Sequence, residues 1–501
     1  MTHSCRVSHQ YFVKQIKMNM QYDGPTKLFI NGEFVESKSG KRFKVIQPST
    51  EKTICEVSEA DLQDVNDAVD AAEEALSGKW KTMGATGRRD VLLRLADLWE
   101  KESEELAKLE SFNNGSPINL SMYITKDLVN EWRYNAGWAD KIEGRVVQSC
   151  KNDLHVYTRR EPIGVCGMIV PWNLPLWCLV VKLAPCLAMG NTVVVKPSEL
   201  TPLTALKLAE MFTRVGLPRG VYNVVPGYGP TAGAAIASHM RIRKVAFTGS
   251  TLIGRTVMEA AAKSNLKIVQ LELGGKSPMV VFPDVDVEEA VKLSQFAVFN
   301  NNGQLCTAGS RTFVHSKIYD EFVQKASKAM SQHVVGDPMD PKNTLGPLIN
   351  KVQLQKVNKY IQTGKQEGAK LLGGGDEYKG QGYFVNPTVF ANVKPDMTIA
   401  KEEIFGPVQS IIKFDDEKTV IKLCNESEYG LAAAVLTNDI GTVFRLSSSL
   451  QAGTVWVNTY HETLAQGEFG GYKQSGIGRE GGPSGVEGWT LCKTVIVKSK
   501  L

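Results

Sequence analysis

The chain has 501 residues, 43% of them hydrophobic, which at roughly 100–200 residues per domain predicts two to four domains and a core that needs no staples. The net charge of +5 is spread along the chain, which excludes the concentrated basic face that nucleic acid requires, and no apolar run reaches the roughly 18 residues of a membrane span. The nine cysteines form no CxxC pair and no secretory signal precedes them, so free thiols in a reducing compartment are expected and a zinc or other metal site is not.

Residues 1–22 contain Arg6, Lys14 and Lys17 but no Asp or Glu, a composition weakly similar to a mitochondrial presequence; a frayed extension is the plainer expectation, and Met18 and Met20 offer later starts. Residues 27–36 read as a hairpin turning at Asn31-Gly32. Apolar residues at helical spacing predict helices over 61–76 and around 88–109. Then the text changes. Residues 165–170 and 192–195 are short, continuous and rich in β-branched side chains, as in strands buried on both faces of a parallel sheet. A helix over 201–215 and a strand over 244–247 continue the alternation of a doubly wound α/β domain. From Lys267 a new series begins, with strands at 268–271 and 277–282 and helices near 288–299 and 318–332. Gly373-Gly374-Gly375 marks a turn, and residues 494–497 read as a last strand. The sequence ends Lys498-Ser499-Lys500-Leu501, and a terminal Ser-Lys-Leu is an address for the peroxisomal import receptor, with cytoplasm or mitochondrion the alternatives.

Five segments carry candidate chemistry. Cys306 follows a polar, Gly-containing stretch, Asn300-Asn301-Asn302-Gly303-Gln304-Leu305, where a partly exposed nucleophilic thiolate is possible; taken alone, most cysteines are small core residues. Glu272 closes an apolar strand before Gly274-Gly275, and burial would lift its carboxyl towards neutrality, as a general base needs; a solvated strand end is the bland alternative. Asn173, in Pro171-Trp172-Asn173-Leu174-Pro175, can donate to an oxyanion or sit in an ordinary turn. Lys196 and Glu199 can hold a ribose diol between them, the carboxylate repelling a 2′-phosphate, or form a solvated pair. Gly249-Ser250-Thr251-Leu252-Ile253-Gly254 can turn backbone N–H groups to a pyrophosphate, although its spacing is not G-x-G-x-x-G.

In this order the five segments resemble the aldehyde dehydrogenases, in the branch of the cytosolic and mitochondrial enzymes acting on acetaldehyde and retinal. The resemblance runs from about Lys27 to Val497 and includes Glu402-Glu403-Ile404-Phe405-Gly406-Pro407 and Phe469-Gly470-Gly471-Tyr472-Lys473. It implies NAD-dependent oxidation of an aldehyde to a carboxylic acid. Cys306 would carry a thiohemiacetal and then a thioester, Asn173 would hold the oxyanion, and Glu272 would activate the hydrolytic water. It also implies that Lys182 and Glu480 pass protons, that Ile169, Trp172, Lys196, Glu199, Gly249, Ser250, Gly254, Glu403 and Phe405 contact the cofactor, and that Leu174, Val181, Leu305, Thr307, Thr463 and Phe469 line the substrate tunnel. The implied fold has a doubly wound cofactor domain (23–144 and 163–274), an α/β catalytic domain (275–474) and a small β oligomerisation arm with the tail (145–162 and 475–501), in a homotetramer or, alternatively, a dimer.

Of the matching tunnel positions Leu174, Val181, Thr463 and Phe469, only the last carries a ring, which predicts a roomy tunnel for a medium or long aliphatic aldehyde. An aminoaldehyde or betaine-aldehyde substrate is the alternative, with Glu462 as the acidic candidate. A non-catalytic, crystallin-like protein should have lost the nucleophile or the base, and a cofactor-independent thioesterase would not need the cofactor motifs.

Overall fold

A computed structural model describes residues 21–149 and 151–498. The expected address at Ser499, Lys500 and Leu501, and all of the extension 1–22 except its last two residues, lie outside the described residues.

The predicted hairpin forms from Leu28–Ile30 and Glu33–Val35. Asn31 (φ 51°) and Gly32 (φ 77°) both take the left-handed backbone that matches a two-residue turn to the twist of its strands. The hairpin caps the edge of an eight-stranded sheet whose five central strands are parallel. Their spatial order is Tyr222–Val224, Thr192–Lys196, Val165–Ile169, Lys244–Thr248, Ile268–Glu272. In chain order that is third, second, first, fourth, fifth, the doubly wound pattern. The short strand Gly476–Ile477 joins the far edge, antiparallel to Leu271 and Glu272.

Helix Leu62–Ser77 begins at Asp61, whose carboxylate accepts from the Gln63 and Asp64 N–H groups while Asp64 returns a bond to the Asp61 N–H. This reciprocal cap satisfies donors that the first turn leaves orphaned. The second predicted helix is longer than its periodicity suggests, Lys79–Asn114, because Gly84 (φ 69°) lets an upstream segment join it across a kink. Its indoles Trp80 and Trp99 are buried with Trp132 of helix Ile118–Trp138.

A second sheet of seven strands has Arg311–His315 and Pro278–Val281 near its middle, flanked by Val408–Phe414 and Ala432–Leu436. Its pairings are parallel except for the antiparallel edge strand Lys370–Gly373. A third sheet is antiparallel: Thr490–Lys498 runs beside Leu154–Pro162 over nine paired positions, with Val146–Val147 at its edge. Val146, Val147, Ile496 and Val497 are exposed on it. No helix among the described residues is long and apolar enough to cross a membrane.

Candidate active site

In a doubly wound sheet, ligands bind beyond the carboxyl ends of the strands, where the order reverses. Here the reversal falls between Val165–Ile169 and Lys244–Thr248, adjacent strands that point Trp172-Asn173 and Gly249-Ser250 into the same crevice. A cavity of about 880 Å³ opens there and runs between the two large sheets, with Cys306, Glu272 and Asn173 all on its wall.

Cys306 is half-buried, at the end of a strained loop. Three consecutive residues, Asn301 (φ 49°), Asn302 (φ 59°) and Gly303 (φ 71°), are left-handed. Side-chain amides hold that conformation. Asn302 donates to the Pro347 carbonyl (3.0 Å) and accepts from the Gly346 N–H, while Asn301 donates to the Asn173 carbonyl (3.0 Å) and accepts from the Ser116 hydroxyl. At Gly303 a Cβ would lie 2.2 Å from the Gly406 carbonyl, so only glycine fits. The same loop receives Asn173, whose amide donates to the Gln304 carbonyl at 2.9 Å. One N–H satisfies that carbonyl and the amide keeps a second.

In the structure the thiol form of Cys306 is favoured over the thiolate, with only its own backbone N–H opposing. Burial pushes the Cys306 thiol well above its ordinary value, with Cys178, Glu403 and Glu272 acting in the same direction. Glu272, at the end of its strand, is buried, and neither carboxylate oxygen has a hydrogen-bond partner among the described residues. Burial lifts this carboxyl too, Glu480 adds to the rise, and Lys182 and Arg479 oppose it. Lys182 and Glu480 form a fully buried ion pair. Burial alone would lower the Lys182 ammonium, but Glu480, Cys178 and Glu272 together outweigh it and the net shift is upward.

The expected cofactor residues divide into two groups. Trp172, Gly249, Ser250, Glu403 and Phe405 line the cavity. Trp172 and Phe405 meet edge to face at 5.4 Å, and Glu403 accepts from the Gly275 N–H at 2.9 Å. Ser250 caps helix Thr251–Lys263, and Gly254 packs so closely that a Cβ would come within 2.6 Å of Leu273. Lys196, Glu199, Gly254 and Ile169 do not line the cavity. Lys196 is buried at the end of its strand and reaches Glu199 at 3.3 Å.

Leu174, Leu305, Thr307, Thr463 and Phe469 line the cavity; Val181 does not and is buried within helix Pro175–Ala188. The four matched positions are not the whole lining. Trp177 packs edge to face on Phe469 at 5.5 Å, and Tyr123, Phe296, Trp456 and Tyr460 add further rings. Except for Phe296, on the helix that leads into the Cys306 loop, these come from elements remote in sequence from Cys306, and no contiguous motif marks them. Asp127 joins Glu462 on the wall, so the acidic lining is not confined to one residue.

A family model described as the aldehyde dehydrogenase family matches residues 34–495. The protein named aldehyde dehydrogenase, cytosolic 1, of Elephantulus edwardii is 52% identical over 476 residues, covering 94% of this chain and 95% of its own. The aldehyde dehydrogenase of Bacillus cereus, solved as an NAD+ complex, superposes with a TM-score of 0.93 at 46% identity, covering 95% of this chain and 97% of that one. The betaine aldehyde dehydrogenase of Staphylococcus aureus, also solved with NAD+, gives a TM-score of 0.94 at 37% identity, covering 96% of both chains. The chain belongs to the aldehyde dehydrogenase family.

Proposed function

We propose that the protein oxidises an aldehyde to a carboxylic acid with NAD+ and water, using Cys306 as the nucleophile. The observation that carries this reading is the convergence of Cys306, Glu272 and Asn173 on one cavity, together with Trp172, Glu403 and Phe405. The residues present fit the dinucleotide. Ser250 opens a 13-residue helix whose first N–H groups suit a pyrophosphate, with Gly249 beside it, and the Thr248 hydroxyl on the cavity wall is buried without a partner among the described residues. Lys196 and Glu199 would hold the adenosine ribose, Glu403 the nicotinamide ribose, and Ile169, Trp172, Phe405 and Gly254 the walls. Bound NAD+ supplies the hydride acceptor.

Cys306 reacts in the deprotonated form, its proton released to water; the sulfur bonds to the aldehyde carbon, and the carbonyl oxygen takes up the negative charge. The second N–H of the Asn173 amide and the Cys306 N–H hold that oxygen; one such donor is worth about 2.7–4 kcal/mol in the transition state. Collapse of the alkoxide expels hydride and leaves a thioester on Cys306. Glu272 then takes a proton from water, whose oxygen attacks the thioester carbon and releases the acid with the Cys306 sulfur as leaving group. The Lys182–Glu480 pair, of which Glu480 also lines the cavity, would pass that proton on. The raised Glu272 carboxyl suits the task, since a base that is too acidic takes no proton from water.

The substrate on this reading is a medium or long aliphatic aldehyde, whose chain would pack against the rings of Trp177 and Phe469. Asp127 and Glu462 beside Tyr123 and Trp456 support a second reading, an amino- or betaine-type aldehyde. NADH release over a panel of alkanals and their cationic counterparts separates the two, and no NADH from any aldehyde removes both. The cofactor domain of this reading comprises 23–144 and 163–274, the catalytic domain 275–474. The arm, 145–162 with 475–501, exposes valines and an isoleucine that suit a homotetramer, which sedimentation tests. A cytoplasmic location follows the named cytosolic relative. Peroxisomal import through Ser499, Lys500 and Leu501 is the finer reading; unchanged localisation after their removal dismisses it.

A further inference from the structure

Next to the nucleophile, Thr307 meets a histidine that the reaction above does not use. The Thr307 Oγ1 lies 3.3 Å from Nδ1 of His461, and both residues line the cavity. Nε2 of His461 lies 3.1 Å from the Ala297 carbonyl. A carbonyl oxygen only accepts, so Nε2 carries the ring proton, and in a neutral imidazole Nδ1 is then an acceptor. The Thr307 hydroxyl must therefore spend its proton on His461.

The ring is kept neutral. Burial pushes the His461 pKa down to about 4, against a smaller upward pull from the Ala297 carbonyl. Phe296, Trp456 and Tyr460 surround it with ring centroids at 5.6, 6.0 and 4.7 Å. The backbone is held just as firmly. His461 has φ 60°, a left-handed conformation that non-glycine residues adopt only where the surroundings impose it. The Tyr460 hydroxyl donates to the Thr307 carbonyl at 2.8 Å, which fixes the residue from its other side. The Thr307 oxygen thus faces its surroundings as an acceptor and has no proton left to give.

We infer that Thr307, oriented by His461, selects aldehydes that carry a hydrogen-bond donor, a hydroxyl or amino group, on a carbon next to the carbonyl. The inference rests on the reading of this cavity as the aldehyde site. The neighbour of the nucleophile is close enough to reach a substituent near the reacting carbon and too close to read the far end of a chain. An ether oxygen at the same place would meet the Thr307 oxygen lone pair to lone pair.

The test compares hexanal, 2-hydroxyhexanal and 2-methoxyhexanal. The two substituted aldehydes activate their carbonyls similarly and differ in the donor. With the wild-type enzyme, kcat/KM for the hydroxy compound should exceed that for the methoxy compound by about tenfold, the scale of one hydrogen bond lost with an acceptor left unpaired. Thr307→Val should bring that ratio towards one, and Thr307→Ser, which keeps the hydroxyl, should preserve it. His461→Phe releases the Thr307 proton and should raise the methoxy compound relative to the hydroxy one. A role confined to packing would leave the ratio where it was. Survival of the preference in Thr307→Val, or its absence in an enzyme that oxidises hexanal, overturns the inference and leaves the aldehyde reading standing. Failure of all three aldehydes to yield NADH removes both.

Discussion

The two ends of the cavity are built by different rules. At the cofactor end, Trp172-Asn173, Gly249-Ser250 and Glu272 sit where parallel strands stop, so each functional group follows a short apolar run and is placed by the sheet itself. At the substrate end, Tyr123, Trp177 and Phe296 come from three separate helices, and Trp456 and His461 from strand Thr454–Val457 of the second sheet and the segment after it; only packing brings these elements together. A sheet end tolerates little change in position, whereas a wall of side chains can be refilled one residue at a time. The first end should govern whether the reaction occurs, the second which aldehyde undergoes it.

The hardest break in that comparison is Cys306→Ala. It should lower NADH formation by at least about 10⁴-fold, as removal of a covalent nucleophile does, while NAD+ affinity by calorimetry stays within about threefold. Persisting turnover would mean that another group attacks the aldehyde. Glu272→Gln should cost about 10²–10⁴-fold in the steady state yet keep a rapid first turnover of NADH, because it removes the base for hydrolysis and leaves acylation. A steady rate equal to wild type would dismiss Glu272 as the base.

The pH profile follows from the same two groups. Both Cys306 and Glu272 are held above their ordinary values, and both act in the deprotonated form, so protonation at low pH silences each. kcat/KM, through Cys306, and kcat, through Glu272, should therefore climb on going from neutral to alkaline pH, each by up to about tenfold per unit. A flat profile across that range would show that bound cofactor or substrate resets both. Glu199→Ala should weaken NAD+ by about tenfold and narrow its advantage over NADP+, with the aldehyde preference untouched. Trp177→Ala should do the reverse, changing KM for long aldehydes by about fivefold through the lost contact with Phe469, with NAD+ binding unaltered. Mixed effects from either variant would show that the two ends are not separable.

The same contrast explains what was legible in the sequence. Strands such as Thr192–Lys196, buried at every position, announce themselves as continuous apolar runs, and the polar residues immediately after them mark the crevice. Asn173 and Glu272 were readable for that reason. The rings were not, since Trp177 and Phe469 stand nearly 300 positions apart and nothing local records that they touch. Val181 shows a related limit: its spacing puts it on the same face as the lining residues Trp177 and Cys178, but it stands one turn further along the helix, where it is buried. The protonation of Cys306 depends on which groups crowd it, and spacing along the chain carries no dielectric information.

The contact of Gly303 with Gly406 has a mechanical consequence. Gly303 stands three residues before the nucleophile, and Gly406 directly follows Phe405 on the opposite wall. With no side chain between them to compress or rotate, the two segments have no slack. A displacement of Phe405 would therefore bear on the backbone that leads to the sulfur, with nothing softer between them to absorb it.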